Sequence, residues 1–282
     1  MTEKSDMQPS LISIKITDQI LKLLKKIPYV AFYANTRGWT FILSWGHRIS
    51  GLLLVLYVWF HLITLTALSS PGDYDAKMAL FSSPLIVFLE WLLAIPVIFH
   101  AVNGGRLMLF EIYGYRDDNA MIRWLFVVSG AYVCLLAVFM LLGNQSASPI
   151  FFWLTAFIIA AICGYTFLAR IWRSGHSRFW KFQRASGVFL LVMIPAHFLF
   201  MHLNPAVGKD SAVILARMQN GFVKLVDITM VLAVLYHGGY GLFSVGTDYI
   251  VSRPQQILMT VLVAMVMIWS AWIGLKISIP LF

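Results

Sequence analysis

The stretch RISGLLLVLYVWFHLITLTALSS, residues 48–70, decides the fold class. Arg48 is its only charged residue, and His61 lies alone inside the apolar run. A helix of about 20 apolar residues is long enough to cross the hydrocarbon core of a bilayer. The stretch therefore predicts a membrane-spanning helix that carries an ionisable side chain at membrane depth, where such a group is costly and usually has a partner.

The rest of the chain has the same character. Of its 282 residues, 60% are hydrophobic and 12% are charged, and the mean hydropathy is +0.81. One soluble core could not bury so much apolar surface, so membrane lipid is the expected surrounding. The net charge of +9 does not indicate a nucleic-acid partner, because the basic residues lie in short segments between apolar runs.

About seven segments are long enough to span a membrane. They lie near 41–68, 84–110, 123–143, 150–170, 185–204, 225–247 and 256–279. Turn-forming Pro, Gly and Asn residues separate them, and no segment alternates with the period of two that a membrane barrel needs. The predicted fold class is therefore all-α, a polytopic transmembrane helix bundle.

The distribution of basic residues predicts the orientation. Sixteen of the 21 Lys and Arg residues fall in segments on the same side as the amino end. Because cytoplasmic loops carry the excess of positive charge, we expect a multi-pass protein of the cell inner (cytoplasmic) membrane with a cytoplasmic N-terminus. Residues 1–40 are predicted as a cytoplasmic amphipathic segment, whose stretch 12–27 either lies on the membrane surface or docks a soluble partner.

One pattern that contains an arginine and a histidine occurs twice. Arg48-Ile-Ser-Gly51 leads to His61, and Arg184-Ala-Ser-Gly187 leads to His197. The distance from arginine to histidine is 13 residues in both cases.

A second pattern follows each copy of the first. His100 precedes a glycine by 4 residues and Glu111 by 11, and His237 precedes a glycine by 4 and Asp248 by 11. Two matched patterns in the same order predict two related three-helix repeats, at 41–145 and 181–282. The segment 146–180 would supply an extra helix and a basic cytoplasmic loop, which returns the chain so that the repeats lie parallel.

Four histidines at repeat-matched positions favour haem, whose iron takes one imidazole from each side. The positions of the turns place His100 and His237 roughly 7–10 Å nearer the cytoplasm than His61 and His197. We therefore predict two haem b groups, a proximal one between His100 and His237 and a distal one between His61 and His197. His202 is an alternative to His197, and a hydrogen bond between helices is the alternative for any single histidine.

Further residues are candidates for contact with these haems. Small residues one turn from the proximal ligands would let a macrocycle approach the helix, and arginines near the cytoplasmic side would bind propionates. The glycines are Gly104 and Gly241, and the arginines are Arg48, Arg106 and Arg184.

Three motifs resemble the membrane subunits of succinate dehydrogenase and fumarate reductase, as though the large and small anchor subunits of a dihaem type were fused. The similarity covers about residues 35 to 280. The motifs are Ser44-Trp-Gly-His47-Arg48-Ile-Ser-Gly51, His100-Ala-Val-Asn-Gly104-Gly-Arg106, and His237-Gly-Gly-Tyr-Gly241 with Thr247-Asp248-Tyr249.

The resemblance implies a role in electron transfer. In that family a flavoprotein with FAD interconverts succinate and fumarate, an iron–sulfur subunit relays electrons, and the anchor exchanges them with quinone. Matching positions assign a quinone site to Ser44, Arg48, Asp248 and Tyr249, and His47 is a candidate for cofactor binding. The second repeat departs from the motif, because Gln183 stands where the first has His47, and this leaves the location of the quinone site open.

Glu90 is a second candidate for quinone chemistry, because it is a carboxylate within the predicted second helix near the distal histidines. Two other functions stay open at this stage. One is the cytochrome b anchor of a formate dehydrogenase or hydrogenase, and the other is a proton-coupled transporter built from repeats.

Overall fold

The computed structural model describes residues 19, 22–114, 118–143 and 145–278. These residues form helices joined by short turns, and no strand occurs among them. The predicted amphipathic stretch 12–27 lies mostly outside the described residues.

Seven helices among the described residues are long and apolar enough to cross a membrane, as predicted. They are α2 (Gly38–Leu65), α4 (Pro84–Tyr113), α5 (Asp118–Leu142), α6 (Pro149–Ile171), α7 (Arg178–Leu203), α10 (Gly221–Tyr249) and α11 (Arg253–Ser278). The described residues also form the shorter helices α1 (Pro28–Thr36), α3 (Pro71–Phe81), α8 (Pro205–Lys209) and α9 (Ser211–Met218), and a 3-10 turn at Thr66–Ser69. The fold class is therefore confirmed.

Proline and glycine set many of the helix boundaries. Proline stands at the first turn of α3, α4, α6 and α8, where its missing N–H leaves no hydrogen bond unmade. Gly114 and Gly143 follow α4 and α5 with φ of 61° and 66°, a backbone conformation that favours glycine at a helix end. Helix α7 begins seven residues before its predicted start because its first turns, with Lys181 and Arg184, are helical but not apolar.

The long helices can be grouped by the two predicted repeats, whose boundaries stay a prediction. α2, α4 and α5 make the first repeat and α7, α10 and α11 the second, with α6 between them packed on α7 and α10. In each repeat the second helix packs between the first and the third. The third helix of each repeat also packs on the first helix of the other, α5 on α7 and α11 on α2. The two predicted repeats therefore contact each other through equivalent pairs of helices.

One end of the bundle carries a folded cap that hydropathy does not predict. The cap consists of α3, α8 and α9, which occupy the connections between the first and second helices of the repeats. The Tyr74 hydroxyl donates to the Gly208 carbonyl at 3.0 Å, and Asp75 accepts from the Ser211 N–H and hydroxyl, both at 2.9 Å. Because α2 and α7 run from their arginines towards this cap, Arg48 and Arg184 lie near the opposite end, called here the arginine end.

Candidate functional site

The four repeat-matched histidines meet in the two predicted pairs. The rings of His100 on α4 and His237 on α10 have centroids 6.3 Å apart, with planes at 90°. The rings of His61 on α2 and His197 on α7 have centroids 6.4 Å apart, at 80°. Each pair thus joins one residue from each repeat.

These separations fit a single metal ion held between two imidazoles. A metal–imidazole nitrogen bond is about 2 Å long, and a five-membered ring with bonds of about 1.3–1.4 Å places its nitrogen roughly 1 Å from the centroid. Two rings on opposite sides of one metal ion are then about 6 Å apart. Within the described residues no group of three or more His, Cys, Asp or Glu side chains could hold a metal. A donor set of only two imidazoles suits haem, whose macrocycle supplies the other ligands.

Equivalent hydrogen bonds orient His100 and His237. The Nδ1 of His100 donates to the His47 carbonyl at 3.1 Å, and the Nδ1 of His237 donates to the Gln183 carbonyl at 3.2 Å. Ser50 and Ser186 each donate a hydroxyl hydrogen bond to the same carbonyls. A proton held on Nδ1 leaves Nε2 as the nitrogen with a free lone pair for a metal.

Two glycines of the repeated Arg…Gly motif make room for these rings. A Cβ at Gly51 would lie 2.9 Å from Cε1 of His100, and a Cβ at Gly187 would lie 2.9 Å from Cε1 of His237. These contacts are closer than carbon atoms tolerate. The sequence contains both glycines in its repeat, but only the geometry reveals that they admit the histidines.

The glycines predicted to face a macrocycle have more open surroundings. A Cβ at Gly104 would lie 3.5 Å from the His47 ring, and a Cβ at Gly241 would meet nothing within 4 Å among the described residues. The roles of Gly104 and Gly241 stay predictions.

His47 packs directly on one member of the first pair. Its ring stacks on that of His100, with centroids 3.9 Å apart and planes at 7°. The Nδ1 of His47 is buried and has no hydrogen-bond partner within the described residues, and the same holds for Nδ1 of His197. Buried polar atoms without partners are rare, so both atoms fit a site built to receive a further group.

Arg106 is buried beside this level of the bundle, on α4. It is 8% exposed, and its Nε donates to the Asn103 side-chain oxygen at 2.9 Å. Asn103 is fully buried, at 0% exposure. The role of Arg106 in binding a propionate stays a prediction.

Three of the four residues assigned to quinone by resemblance meet at the arginine end. The Arg48 guanidinium donates to the Asp248 carboxylate at 2.7 Å and to the Tyr249 hydroxyl at 3.0 Å. Ser44 lies one turn before Arg48 on α2, and its side chain is exposed. Because Tyr249 accepts from Arg48, its own O–H stays available to donate.

An equivalent ion pair joins the arginine of the second repeat to the acidic residue of the first. Arg184 donates to both carboxylate oxygens of Glu111, at 2.6 and 2.8 Å, and to the Gln183 side-chain oxygen at 3.1 Å. The acidic residue of each repeat therefore pairs with the arginine of the other repeat. The matched offsets contain both residues, but they do not reveal this exchange of partners.

Glu90, the carboxylate predicted near the second histidine pair, lies against the cap. Its Oε2 is 3.6 Å from the Lys209 Nζ at the end of α8, and no hydrogen bond satisfies that buried oxygen within the described residues. On α2 the ring of Tyr57 stacks on His61, with centroids 5.6 Å apart.

His202 has a different environment from His197. Its Nδ1 bonds the Phe198 carbonyl of its own helix at 2.6 Å, and its ring stacks on Phe198. The described ring that faces His61 from α7 is that of His197.

Comparison with known proteins identifies similar chains. The family described as "Succinate dehydrogenase/Fumarate reductase transmembrane subunit" matches residues 35–139 and 166–275. The succinate dehydrogenase 2 membrane subunit SdhC of Mycobacterium tuberculosis (strain H37Rv) is 26% identical over 115 residues, which are 40% of this chain and 80% of that protein. No solved structure matches the chain. The family match covers both repeats and leaves out most of α6.

Proposed function

Because the chain belongs to the family of succinate dehydrogenase/fumarate reductase transmembrane subunits, we propose that it passes electrons between an iron–sulfur subunit and membrane quinone through two haem b groups. The observation that carries this proposal is the doubled histidine pair, with ring separations of 6.3 and 6.4 Å. The flavoprotein partner, which carries FAD, and the iron–sulfur partner are part of the proposal. So are the location in the cell inner membrane and the cytoplasmic N-terminus.

Each haem would be held by one histidine of each repeat. Bound haem supplies a one-electron carrier whose reduction potential depends on its ligands and their hydrogen bonds. The carbonyls of His47 and Gln183 hold the rings of His100 and His237 by Nδ1, which fixes the direction of Nε2.

The two haem levels are connected through the first helix of each repeat. On α2, Gly51 contacts the ring of His100, and His61 follows ten residues later. On α7, Gly187 contacts the ring of His237, and His197 also follows ten residues later. Ten residues of α-helix are about 15 Å long, and the rings are closer than this because side chains tilt towards the helix N-terminus. One level therefore lies nearer the arginine end and the other nearer the cap.

The quinone site that the contacts support best is at the arginine end. Negative charge develops on a quinone oxygen during reduction, and donors aimed at that oxygen stabilise it. Arg48 supplies a cation, Tyr249 supplies a free O–H, and Ser44 supplies a second hydroxyl on the same side of α2. Asp248 holds Arg48 in position and can pass protons to the site.

The equivalent position of the second repeat differs in how its cation is paired and lacks the two hydroxyls. Arg184 is engaged by two oxygens of Glu111. By the repeat offsets, Trp180 stands in the place of Ser44 and Ile112 in the place of Tyr249. We therefore propose one quinone site at this end, in the first repeat.

A second candidate location for quinone chemistry is the cap, where the specific observation is the Glu90–Lys209 pair. A half-buried carboxylate with an unsatisfied oxygen can exchange a proton with a quinol. Glu90 would then serve oxidation of quinol at this end.

The first experiment on the proposed function is a haem count. A pyridine haemochrome assay of the purified complex should give two haem b groups per copy of this chain. One haem would remove the dihaem part of the proposal, and none would overturn it. Reduced-minus-oxidised visible spectra also separate it from a proton-coupled transporter, and covalent FAD in the co-purified partner separates it from an anchor of formate dehydrogenase or hydrogenase.

Replacing Gly51 with alanine should reduce occupancy of the haem held by His100 and His237. The added methyl would lie 2.9 Å from Cε1 of His100, so the ring must move out of its ligating position. Haem absorbance per protein is the measurement. Gly130→Ala on α5 is the matched control, because among the described residues no atom lies within 4 Å of the Cβ that it would add. Equal haem content in G51A and G130A would contradict the prediction.

If quinol is oxidised at the cap, replacing Glu90 with glutamine should slow electron entry from quinol into the haems. General acid–base groups contribute about 10²–10⁴ in rate, so a fall of about 10² is expected in quinol-driven haem reduction, with succinate-driven haem reduction retained. Lys209→Gln removes the ion-pair partner and keeps the carboxylate. A loss of the same size in K209Q would show that the pair is structural.

A further inference from the structure

Arg217 is a partly buried cation that the proposed function has not used. It lies near the end of α9, the last helix of the cap. Its Nη1 contacts the Met201 sulfur at 3.5 Å, and its guanidinium lies over the Phe200 ring at 5.8 Å. Its Nε is buried without a hydrogen bond within the described residues. A thioether and an aromatic face are weak partners for a group that normally forms charge-assisted hydrogen bonds.

These contacts bring Arg217 close to a proposed haem ligand. Phe200 and Met201 follow His197 by three and four residues on α7, and residues at those spacings share one face of a helix. Arg217 contacts both of them, so it lies over the His197 face about one turn further towards the cap. Its charge also acts on His197 electrostatically.

The acidic residue that acts most strongly on Arg217 is Asp227, but no hydrogen bond or ion pair joins the two within the described residues. Asp227, on α10, acts on the guanidinium through its charge, and so does Tyr74 of the cap. Burial nevertheless lowers the pKa of Arg217 below its ordinary value. The site thus holds a partly desolvated fork of N–H donors about one turn from His197, which suits a carboxylate.

We infer that Arg217 binds a propionate carboxylate of the haem held by His61 and His197. This inference rests on the proposed function, because it needs a haem at that level. The two haems then have separate arginine contacts, Arg217 at the cap and the predicted propionate arginines near the other end. Arg217 escaped prediction because it lies in a connection between spans, outside every repeated motif.

The simplest competing account is that Arg217 is only a structural partner of Asp227. The two roles predict different reduction potentials for the haem. Reduction adds one negative charge to the haem, so a nearby cation favours the reduced form and a nearby anion disfavours it. If Arg217 were only a partner of Asp227, another cation at this position would serve equally well, and Arg217→Lys would leave both reduction potentials unchanged. Loss of a propionate contact would lower one of them even where the charge is kept.

The test is a redox titration of haem absorbance in the purified complex. We expect Arg217→Gln to lower the reduction equilibrium constant of one haem about tenfold, which equals roughly 59 mV for a one-electron couple. The affected haem should be the one that His197→Ala removes. Arg217→Lys should give a smaller fall, because it keeps the charge and loses the fork. Lys77→Gln, an exposed cation of the same cap, is the control and should leave both potentials unchanged.

A second variant keeps the inference testable if Arg217→Gln does not assemble. Asp227→Asn removes the anion that partly neutralises the charge of Arg217, so it should raise the reduction potential of the same haem. Two bound haems with unchanged potentials in R217Q, or in D227N where R217Q fails to assemble, would overturn the inference and leave the proposed function standing. A wild-type complex with fewer than two haems would overturn the dihaem proposal, and the inference with it.

Discussion

Replacing His237 with alanine is expected to leave the complex with one haem b per anchor chain instead of two. The ring of His237 lies opposite that of His100 across a gap that fits one iron. A haem with one protein ligand binds much more weakly than a haem with two. His100→Ala should remove the same haem. The double variant should retain as much haem as either single one, because both residues act on one cofactor. Haem per protein and the visible spectrum of the reduced complex measure the result.

Variants of the second pair, His61 and His197, should affect the other haem. His61→Ala and His197→Ala should each remove the second haem and leave the first, so combining His197→Ala with His237→Ala should remove both. His202→Ala is the control, since His202 is bonded to the carbonyl of Phe198 on its own helix. If His202→Ala removed a haem and His197→Ala did not, the proposed pairing would be wrong.

Much of the fold could be predicted because lipid imposes a simple rule on sequence. Spans must be apolar over about 20 residues, and the seven predicted segments correspond to the seven long helices. The rule weakens where helices leave the lipid. The basic start of α7 at Arg178 and the cap helices α3, α8 and α9 are not apolar runs, so hydropathy alone assigns them to connections.

The pairing of the histidines was predictable, but their surroundings were not. Repeat-matched spacing shows which residues are equivalent, and the predicted pairs are the ones that meet in the structure. Spacing does not show how one repeat faces the other. The exchange of partners between Arg48–Asp248 and Arg184–Glu111 therefore needed the tertiary structure, as did the contact of Gly51 with His100.

Replacing Arg48 with glutamine is expected to lower quinone reduction by about 10²–10³, the usual effect of removing a donor aimed at developing negative charge. Oxidation of succinate with a soluble dye as acceptor should continue, because that reaction does not need the proposed quinone site. Tyr249→Phe should lower quinone reduction by about tenfold, since it removes one hydrogen bond. Arg37→Gln, an exposed cation just before α2, and Tyr29→Phe, whose ring is 80% exposed, are the controls for charge and hydroxyl.

Arg48 could also matter only because it holds α2 against α10 through Asp248, and a charge swap separates the two roles. The double variant Arg48→Asp with Asp248→Arg keeps an ion pair between the helices but moves the cation onto α10. If Arg48 is purely structural, the swap should restore quinone reduction together with stability. If it stabilises quinone charge, the swap should restore assembly and haem content but leave quinone reduction slow. Normal quinone reduction in Arg48→Gln, combined with loss in Glu90→Gln but not in Lys209→Gln, would move the quinone site to the cap end of the bundle.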